Sequence, residues 1–344
     1  MRKRSLFIFG IISLMVLLAA CSDDSKGKGT EESAASSGDA EYLIRLPHIV
    51  STDNPAHIAA ESFKEEVEKE SNGRIEVQIF PNGELYASDR ELIEALQLNN
   101  IEMSLVGTPS LGNFDKRFYV LDLPFIFKDR EVPRAALAGE LGEELSKGLE
   151  DINLKALGYG YDGFRHVLNS KHPIETLEDM KGLKIRVQES EIQEALFNAL
   201  DANASPLAYG ELYSALQQNI YDGMDGPFAM IDSGKFDEVQ PYMSLTGHQY
   251  SGLIFLMSAE KFNELPEDLQ DVVMTASSNT EAEYYELVDQ AEDTIRQELE
   301  KSIEINEISE EERIKFIEAV QPVYDEFADI VGEDLIELAK SANE

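Results

Sequence analysis

The sequence predicts an α/β protein whose folded part divides into two domains. Strand-like segments with alternating apolar residues are followed by helix-like segments along most of the chain. This alternation favours crossover units, in which a helix joins neighbouring parallel strands of a mainly parallel sheet. The chain has 344 residues, of which 43% are hydrophobic, so a large core is possible. About 300 folded residues usually split into two domains.

The first half supplies five of these segments in order. Tyr42–Pro47 is strand-like, and residues 54–72 show the apolar stripe of a helix. Residues 74–80 alternate as a strand and stop at a proline–asparagine–glycine turn. Asp89 is predicted to cap the next helix, and residues 101–106 are again strand-like.

The second half continues the same pattern. Ser190 is predicted to begin a helix, with Gln193 in the position that completes a capping box. A helical pattern then runs from residue 266 to about residue 303, which is far longer than the mean helix of about 12 residues. No internal repeat interrupts these elements.

The N-terminal 20 residues predict a lipoprotein signal peptide. Three basic residues precede an apolar run over residues 6–18, and small residues then lead to Cys21. The run is too short to span a bilayer comfortably, which takes about 20 residues. The segment 18–21 resembles a bacterial lipobox, in which the cysteine is lipidated and becomes the first residue of the mature protein. An ordinary signal peptide with a chance cysteine is the alternative.

Residues 21–41 are predicted to be a lipid anchor followed by a flexible tether. From Ser22 to Glu41 there are no large apolar residues, so this segment cannot bury enough surface to fold. We therefore expect a protein anchored on the extracytoplasmic face of the cell membrane. Removing residues 1–20 takes the net charge from −38 to −41, which argues against nucleic acid as a partner.

Two arginines in the middle of the chain carry the strongest chemical signal. Arg165 and Arg186 lie in short, mostly apolar, strand-like segments of an acidic protein. A guanidinium presents a planar fork of donors that matches a carboxylate. A half-buried arginine needs an anionic partner, which is either a protein group or a ligand.

The segments around these arginines resemble the solute-binding proteins of TRAP (tripartite ATP-independent periplasmic) transporters, in their dicarboxylate-type branch. The matching sequence segments are GFRHVLNSKHPI, LEDMKGLKIRV, ELYSALQQNIYDG and DGMDGP, with LDLPFIF and LPEDLQDVV elsewhere. Their order and spacing carry the resemblance, which extends over residues 42–339.

The resemblance implies two hinged α/β domains of the periplasmic-binding-protein type, with a ligand cleft between them and a long helix spanning both. Domain I is expected over residues 42–162 plus 252–291, and domain II over residues 163–251 plus 292–344. Clefts of this kind close around the ligand by hinge motion.

The resemblance also implies a ligand-binding set of Arg186, Arg165, Tyr209, His48 and Asp225. In this set Arg186 is the carboxylate clamp, Arg165 is a second cleft arginine and Tyr209 lines the pocket. His48 faces the cleft from the other domain. The residues themselves also permit a surface ion pair for either arginine, a core position for Tyr209 and a hydrogen-bonded structural role for His48.

Three positions depart from the family pattern and leave the substrate undecided between C4-dicarboxylates and sugar acids. Gly226 stands where the family commonly has an asparagine, and Gln188 replaces a frequent proline. Gly107 stands where sialic-acid-binding members carry an acidic residue, which argues against that ligand.

We therefore expect a monomeric lipoprotein that binds a small organic acid anion and delivers it to integral membrane TRAP permease subunits. We expect no enzyme activity, no cofactor and no metal, because the sequence has no metal-ligand spacing among its five histidines and no nucleophile motif. The alternatives are a protein that presents ligand to a membrane receptor kinase and, less favoured, an extracytoplasmic hydrolase.

Overall fold

The structure, a computed structural model, describes residues 40–344, so the predicted signal peptide, Cys21 and most of the tether lie outside the described residues. The strands are β1 (Tyr42–Pro47), β2 (Ile75–Phe80), β3 (Met103–Gly107), β4 (Leu154–Asn169), β5 (Lys184–Val187), β6 (Asn203–Pro206), β7 (Gly223–Gly226), β8 (Tyr242–Ser258) and β9 (Glu304–Glu307). The helices are α1 (Pro55–Glu70), α2 (Asp89–Gln97), α3 (Thr108–Leu111), α4 (Tyr119–Asp122), α5 (Glu131–Leu137), α6 (Glu140–Lys147), α7 (Glu191–Ala199), α8 (Tyr209–Gln217), α9 (Phe228–Ser233), α10 (Ala259–Glu264), α11 (Glu267–Leu299), α12 (Glu310–Ala319), α13 (Gln321–Val331) and α14 (Glu333–Ser341). Short 3₁₀ turns lie at Lys116–Phe118, Glu150–Ile152, Leu177–Met180 and Phe236–Glu238.

The α/β class is confirmed, but the sheet is mixed rather than mainly parallel. Seven strands form one sheet in the order β3-β8-β4-β7-β5-β6, with β9 beside β8, and β1 and β2 form a separate parallel pair. The pairs β5–β6, β5–β7 and β8–β9 are parallel, whereas β4 runs antiparallel to both β7 and β8. The expectation failed because β4 and β8 are 16 and 17 residues long. These two strands run the length of the sheet instead of ending after one crossover unit.

The predicted elements of the first half are present, with one shift at α2. Asn54 caps α1 by accepting a hydrogen bond from the backbone N–H of Ala56 at 2.9 Å. Ser88, not Asp89, caps α2, and its hydroxyl accepts from the backbone N–H of Glu91 at 3.3 Å. The Asp89 carboxylate is therefore free to make other contacts.

The predicted capping box at the start of α7 does not form. Ser190 occupies the cap position but makes no capping hydrogen bond. Gln193 instead accepts from the backbone N–H of Gln188 at 3.0 Å and donates to the side chain of Gln249 at 3.0 Å. Gln193 thus joins the end of β5 to β8, because a glutamine carries both a donor and an acceptor.

The long helix predicted from residue 266 is α11, which has 33 residues. It packs against α1 and also against α9, so it contacts elements from both halves of the chain. The C-terminal helices do the same, since α13 packs on α7 while α14 packs on α4 and α6. None of the helices within residues 40–344 combines the length and hydropathy needed to cross a bilayer.

The two long strands are irregular where the domain boundary is expected. Their register shifts at three points, after Ala156, Tyr161 and Arg165, and the middle shift, between Tyr161 and Gly163, lies opposite Gly252 and Ser251. Gly163 has a φ of +115°, which residues with a side chain rarely adopt. The irregularity marks a point at which both strands depart from regular pairing, and the domain boundaries themselves stay a prediction.

Candidate ligand-binding site

Arg186 lies on β5 with its guanidinium buried and only partly satisfied. Its Nε and Nη2 donate to the backbone carbonyl of Leu207 at 2.9 and 2.6 Å. Its Nη1 is buried and finds no hydrogen-bond partner within residues 40–344. Burial lowers the pKa of Arg186 to about 10, although the nearby Asp225 charge opposes this shift. The side chain therefore stays cationic at neutral pH, with one edge fixed and the other available.

Arg165 lies on β4, and its donors are already engaged by protein groups. Its Nε is 2.5 Å from Asp225 Oδ2, and its Nη2 donates to the Asp225 carbonyl at 2.9 Å. Its Nη1 lies 3.4 Å from the hydroxyl of Ser251. Both partners of the ion pair have side chains that are 0% exposed. The fork that the sequence analysis expected to point at a ligand is thus occupied by Asp225.

His248 completes a buried group around the same carboxylate. Its Nε2 is 3.2 Å from Asp225 Oδ2, and its Nδ1 is 2.7 Å from the hydroxyl of Thr246. Burial lowers the pKa of His248, so the neutral ring donates from Nε2 and accepts from the Thr246 hydroxyl. Burial alone would raise the pKa of Asp225, but the Arg165 charge and the His248 hydrogen bond hold this pKa well below its usual range.

Asp89 is a fourth charged side chain at this site, after the two arginines and Asp225, and it was not predicted as a site residue. Its Oδ2 accepts from the backbone N–H of Gly107 at 3.1 Å, and the residue is 7% exposed. Burial raises the pKa of Asp89 to about 7; the Gly107 hydrogen bond and Arg186 lower it, whereas Asp162 and Glu189 raise it further. Asp89 and Arg186 are therefore close enough for each charge to act on the other.

Two further carboxyls lie near Arg165, of which Asp122 is buried and Asp162 is half-buried. Neither carboxylate oxygen of Asp122 has a partner within residues 40–344, and burial raises the pKa of Asp122 well above its usual value. Asp162 accepts a hydrogen bond from the hydroxyl of Tyr284, and burial raises its pKa to about 6. Sequence reasoning missed these acids because single aspartates in apolar segments carry no motif. Asp122 does lie in LDLPFIF, one of the sequence segments that carry the family resemblance.

Tyr209 is the first residue of α8 and is half-buried at the edge of the site. Its ring packs edge-on against Phe236, with 5.9 Å between ring centroids. Burial raises the pKa of Tyr209 to about 12, and the charge of Arg186 lowers it slightly. Tyr209 also lines a cavity of about 430 Å³ together with Ser51 and Ala87 from the first half of the chain.

His48 is held apart from the two arginines. It follows β1, is 1% exposed, and its Nε2 lies 3.0 Å from Nδ1 of His57 on α1. Burial lowers the pKa of His48 to about 4, so the ring is neutral. Within residues 40–344 no hydrogen bond or ion pair joins His48 to Arg165, Arg186 or Tyr209. Its Nδ1 is buried and unpartnered.

The two walls of the site touch each other along their rim. Asn54, which precedes α1, donates to the hydroxyl of Ser233 at the end of α9 at 3.1 Å. The backbone N–H of Gly210 on α8 donates to the carbonyl of Ala87 at 3.2 Å. These contacts join the first half of the chain to the second, and Arg165, Arg186 and Asp89 are all buried.

A family model matches most of the chain. The family is described as bacterial extracellular solute-binding protein, family 7, and the match covers residues 46–330. The chain is also 33% identical over 313 residues to the C4-dicarboxylate-binding periplasmic protein DctP of Rhodobacter capsulatus, covering 87% of this chain and 90% of that protein.

Two solved structures with different ligands are similarly close. One is the sugar acid binding protein DctPAm from Advenella mimigardefordensis in complex with galactonate, with a TM-score of 0.85, 33% identity and coverage of 88% of this chain and 97% of that one. The other is a TRAP periplasmic solute binding protein from Sulfurospirillum deleyianum with bound succinate, with a TM-score of 0.84, 31% identity and coverage of 88% and 99%.

The pKa of Asp89 predicts a pH dependence of stability. Its native pKa of about 7 lies above its ordinary value of 3.8, so between these pH values the native state keeps a proton that the unfolded chain has lost. The free energy of unfolding should therefore fall as pH rises from about 4 to 7, by at most about 1.4 kcal/mol per pH unit. The variant Asp89→Asn should lose this part of the slope.

Urea unfolding of the ligand-free protein, followed by circular dichroism because the chain has no tryptophan, measures both slopes at pH 5, 6, 7 and 8. The exposed Asp151 provides the matched control, and Asp151→Asn should keep the wild-type slope. Equal slopes for wild type and Asp89→Asn would contradict the raised pKa.

Proposed function

Because the chain belongs to the bacterial extracellular solute-binding proteins of family 7, we propose that it captures a small organic acid by an arginine–carboxylate clamp at Arg186. The acid is delivered to integral membrane TRAP permease subunits. C4-dicarboxylates and sugar acids are the candidate substrates, since similar proteins are described with succinate and with galactonate.

The free edge of the Arg186 guanidinium is the observation that carries this proposal. A buried cationic donor without a partner is costly, because desolvation is not offset by a hydrogen bond. A ligand carboxylate at Nη1 supplies both the missing acceptor and the missing negative charge. Asp225 does not fill this role, because its charge is held by Arg165 through a contact of 2.5 Å.

Arg165 then has a supporting part in the proposed clamp. Arg165 pairs with Asp225, and His248 contacts the same carboxylate oxygen. The resulting group of side chains beside Arg186 has no net charge. That group fixes β4, β7 and β8 together at the floor of the cleft. Tyr209 is proposed to line the cleft at its rim, while His48 is proposed to hold α1 against β1 through His57.

We further propose that the protein is lipid-anchored through Cys21 on the extracytoplasmic face of the membrane. The support is the basic and apolar leader, the small residues before Cys21 and the polar segment that follows it. A tether of about 20 residues lets the folded body reach a permease while the lipid limits its diffusion to the membrane surface.

The clamp predicts a large loss of affinity when the guanidinium is changed. Breaking a buried charge-assisted pair costs on the order of 2–5 kcal/mol, so Arg186→Met should weaken binding of the preferred acid by two decades or more. Arg186→Lys should fail nearly as badly, because an ammonium keeps the charge but not the planar fork. Isothermal titration calorimetry measures both.

The matched control is Arg90→Lys, since Arg90 is exposed and, among the residues that the structure describes, pairs only with Glu94 on the next turn of α2. It should bind as wild type does. Circular dichroism must show that each variant is folded. If Arg186→Lys binds the acid as tightly as wild type does, the clamp is wrong.

The anchor predicts a change of location without a change of affinity. In cells, Cys21→Ala should leave an unprocessed or released protein that takes up no labelled palmitate, while Ser25→Ala should behave as wild type. Binding of the acid should be equal in all three proteins. Wild-type amounts of processed Cys21→Ala protein in the membrane fraction would refute the anchor.

A further inference from the structure

Resting on the proposed clamp, we infer that Asp89 and Gln188 form a hydroxyl-recognising pair beside Arg186, so that the substrate is a hydroxylated monocarboxylate such as a sugar acid rather than a dicarboxylate. It decides between the two candidate substrate classes of the proposed function. It rests on the charges and hydrogen-bonding atoms that surround Arg186.

The site has only one buried cationic side chain left for a ligand, within residues 40–344. Arg165 and Arg186 are the only lysine or arginine side chains that are buried within residues 40–344. Asp225 already neutralises Arg165, and His248 and His48 are neutral because burial lowers the pKa of each. One buried cation therefore remains for the ligand, which matches one carboxylate and leaves a second carboxylate without a counter-charge.

The charges around Asp89 disfavour a second carboxylate on the ligand. Besides Arg186, the charged groups that act on Asp89 are the carboxyls of Asp162 and Glu189. A second ligand carboxylate placed here would meet further acids, and like charges in a buried site cost several kcal/mol. A neutral, polar part of a ligand meets no such penalty.

Gly107 lies where side chains from the two walls of the cleft approach each other. A Cβ atom added to Gly107 would lie 3.0 Å from Asp89 Oδ2 and 3.3 Å from Gln188 Nε2. Asp89 belongs to α2 in the first half, and Gln188 follows β5 in the second half. An acceptor and a donor from opposite walls thus converge on the backbone of Gly107, and a side chain at this position would crowd both.

The orientation of the Gln188 amide is fixed by its neighbours. Gln193 donates to Gln188 Oε1 at 3.3 Å, and Gln193 is itself held by Gln249 at 3.0 Å. The Gln188 NH₂ group is therefore the unbound end of the amide and lies beside Gly107. It makes no hydrogen bond to a protein group within residues 40–344. A hydroxyl donates and accepts at once, so it can satisfy both Asp89 and Gln188, whereas a carboxylate can only accept.

The test compares acids that differ only in their polar groups, with the full chain in mild detergent at pH 8.5 so that Asp89 is ionised. At each of two chain lengths, C4 and C6, calorimetry compares a hydroxylated monocarboxylate, a dicarboxylate and a plain fatty acid: erythronate, succinate and butyrate, then galactonate, adipate and hexanoate. At the better-fitting length, wild type should bind the hydroxylated acid at least 30-fold more tightly than the dicarboxylate.

The variants assign that preference to the pair. Asp89→Asn should weaken binding of the hydroxylated acid at least tenfold. It should also reduce the preference for the hydroxylated acid over the dicarboxylate, because the negative charge that repels a second ligand carboxylate is removed. Gln188→Ala should weaken the hydroxylated acid at least fivefold and leave the fatty acid unchanged. The exposed-site control Asp151→Asn should bind every acid as wild type does.

The outcomes separate the two proposals. A dicarboxylate bound as tightly as the hydroxylated acid, with binding that still depends on Arg186, would overturn the hydroxyl pair and leave the clamp intact. An unchanged preference in both Asp89→Asn and Gln188→Ala would also overturn the pair. If none of the six acids binds, or if Arg186→Met binds them as wild type does, the clamp itself fails and the pair fails with it.

Discussion

The site depends on two guanidinium groups that are buried in one acidic cleft but are satisfied differently. Arg165 is paired with Asp225 and also contacts Ser251, and the Asp225 carboxylate contacts His248. Arg186 is fixed along one edge by the Leu207 carbonyl and keeps Nη1 without a partner within residues 40–344. Because a buried charge must be compensated, this asymmetry is the reason that we propose a structural role for the first arginine and a binding role for the second.

The fold supports this asymmetry through the long strands. β4 carries Arg165, and β8 carries His248 and Ser251, so antiparallel pairing of these strands assembles the neutralised group. β5 carries Arg186 and is joined to β8 through Gln193 and Gln249. The positions of both arginines therefore follow from the strands that carry them rather than from loops.

Much of the fold could be predicted from the sequence, because local patterns determine the elements. The strand at Tyr42–Pro47 and the 33-residue α11 were found from periodicity alone. The antiparallel pairing of β4 with β8 could not be found in this way, since a strand's partner is decided by contacts far away in sequence. At α2 the predicted cap was wrong by one residue, because Ser88 caps the helix. The Asp89 carboxylate instead accepts a hydrogen bond from the backbone of Gly107.

The arginines could be predicted because a guanidinium in an apolar strand is conspicuous, but their partners could not. Nothing local indicates that Asp225 binds Arg165, while the buried Asp122 and the half-buried Asp162 form no ion pair within residues 40–344. Gly107 and Gln188 were noticed as departures from the family pattern. Their meaning depends on a distance between opposite walls, which only the three-dimensional structure supplies.

The most direct measurement of the central claim is a thermodynamic cycle between Arg186 and the ligand carboxylate. Calorimetry with the best-binding acid and with its neutral primary amide, on wild type and on Arg186→Met, gives the coupling between the two groups. We expect wild type to prefer the acid by two decades or more and the variant to prefer it by less than threefold. A variant that keeps the wild-type preference would show that another group holds the carboxylate, and would contradict the assignment of Arg186.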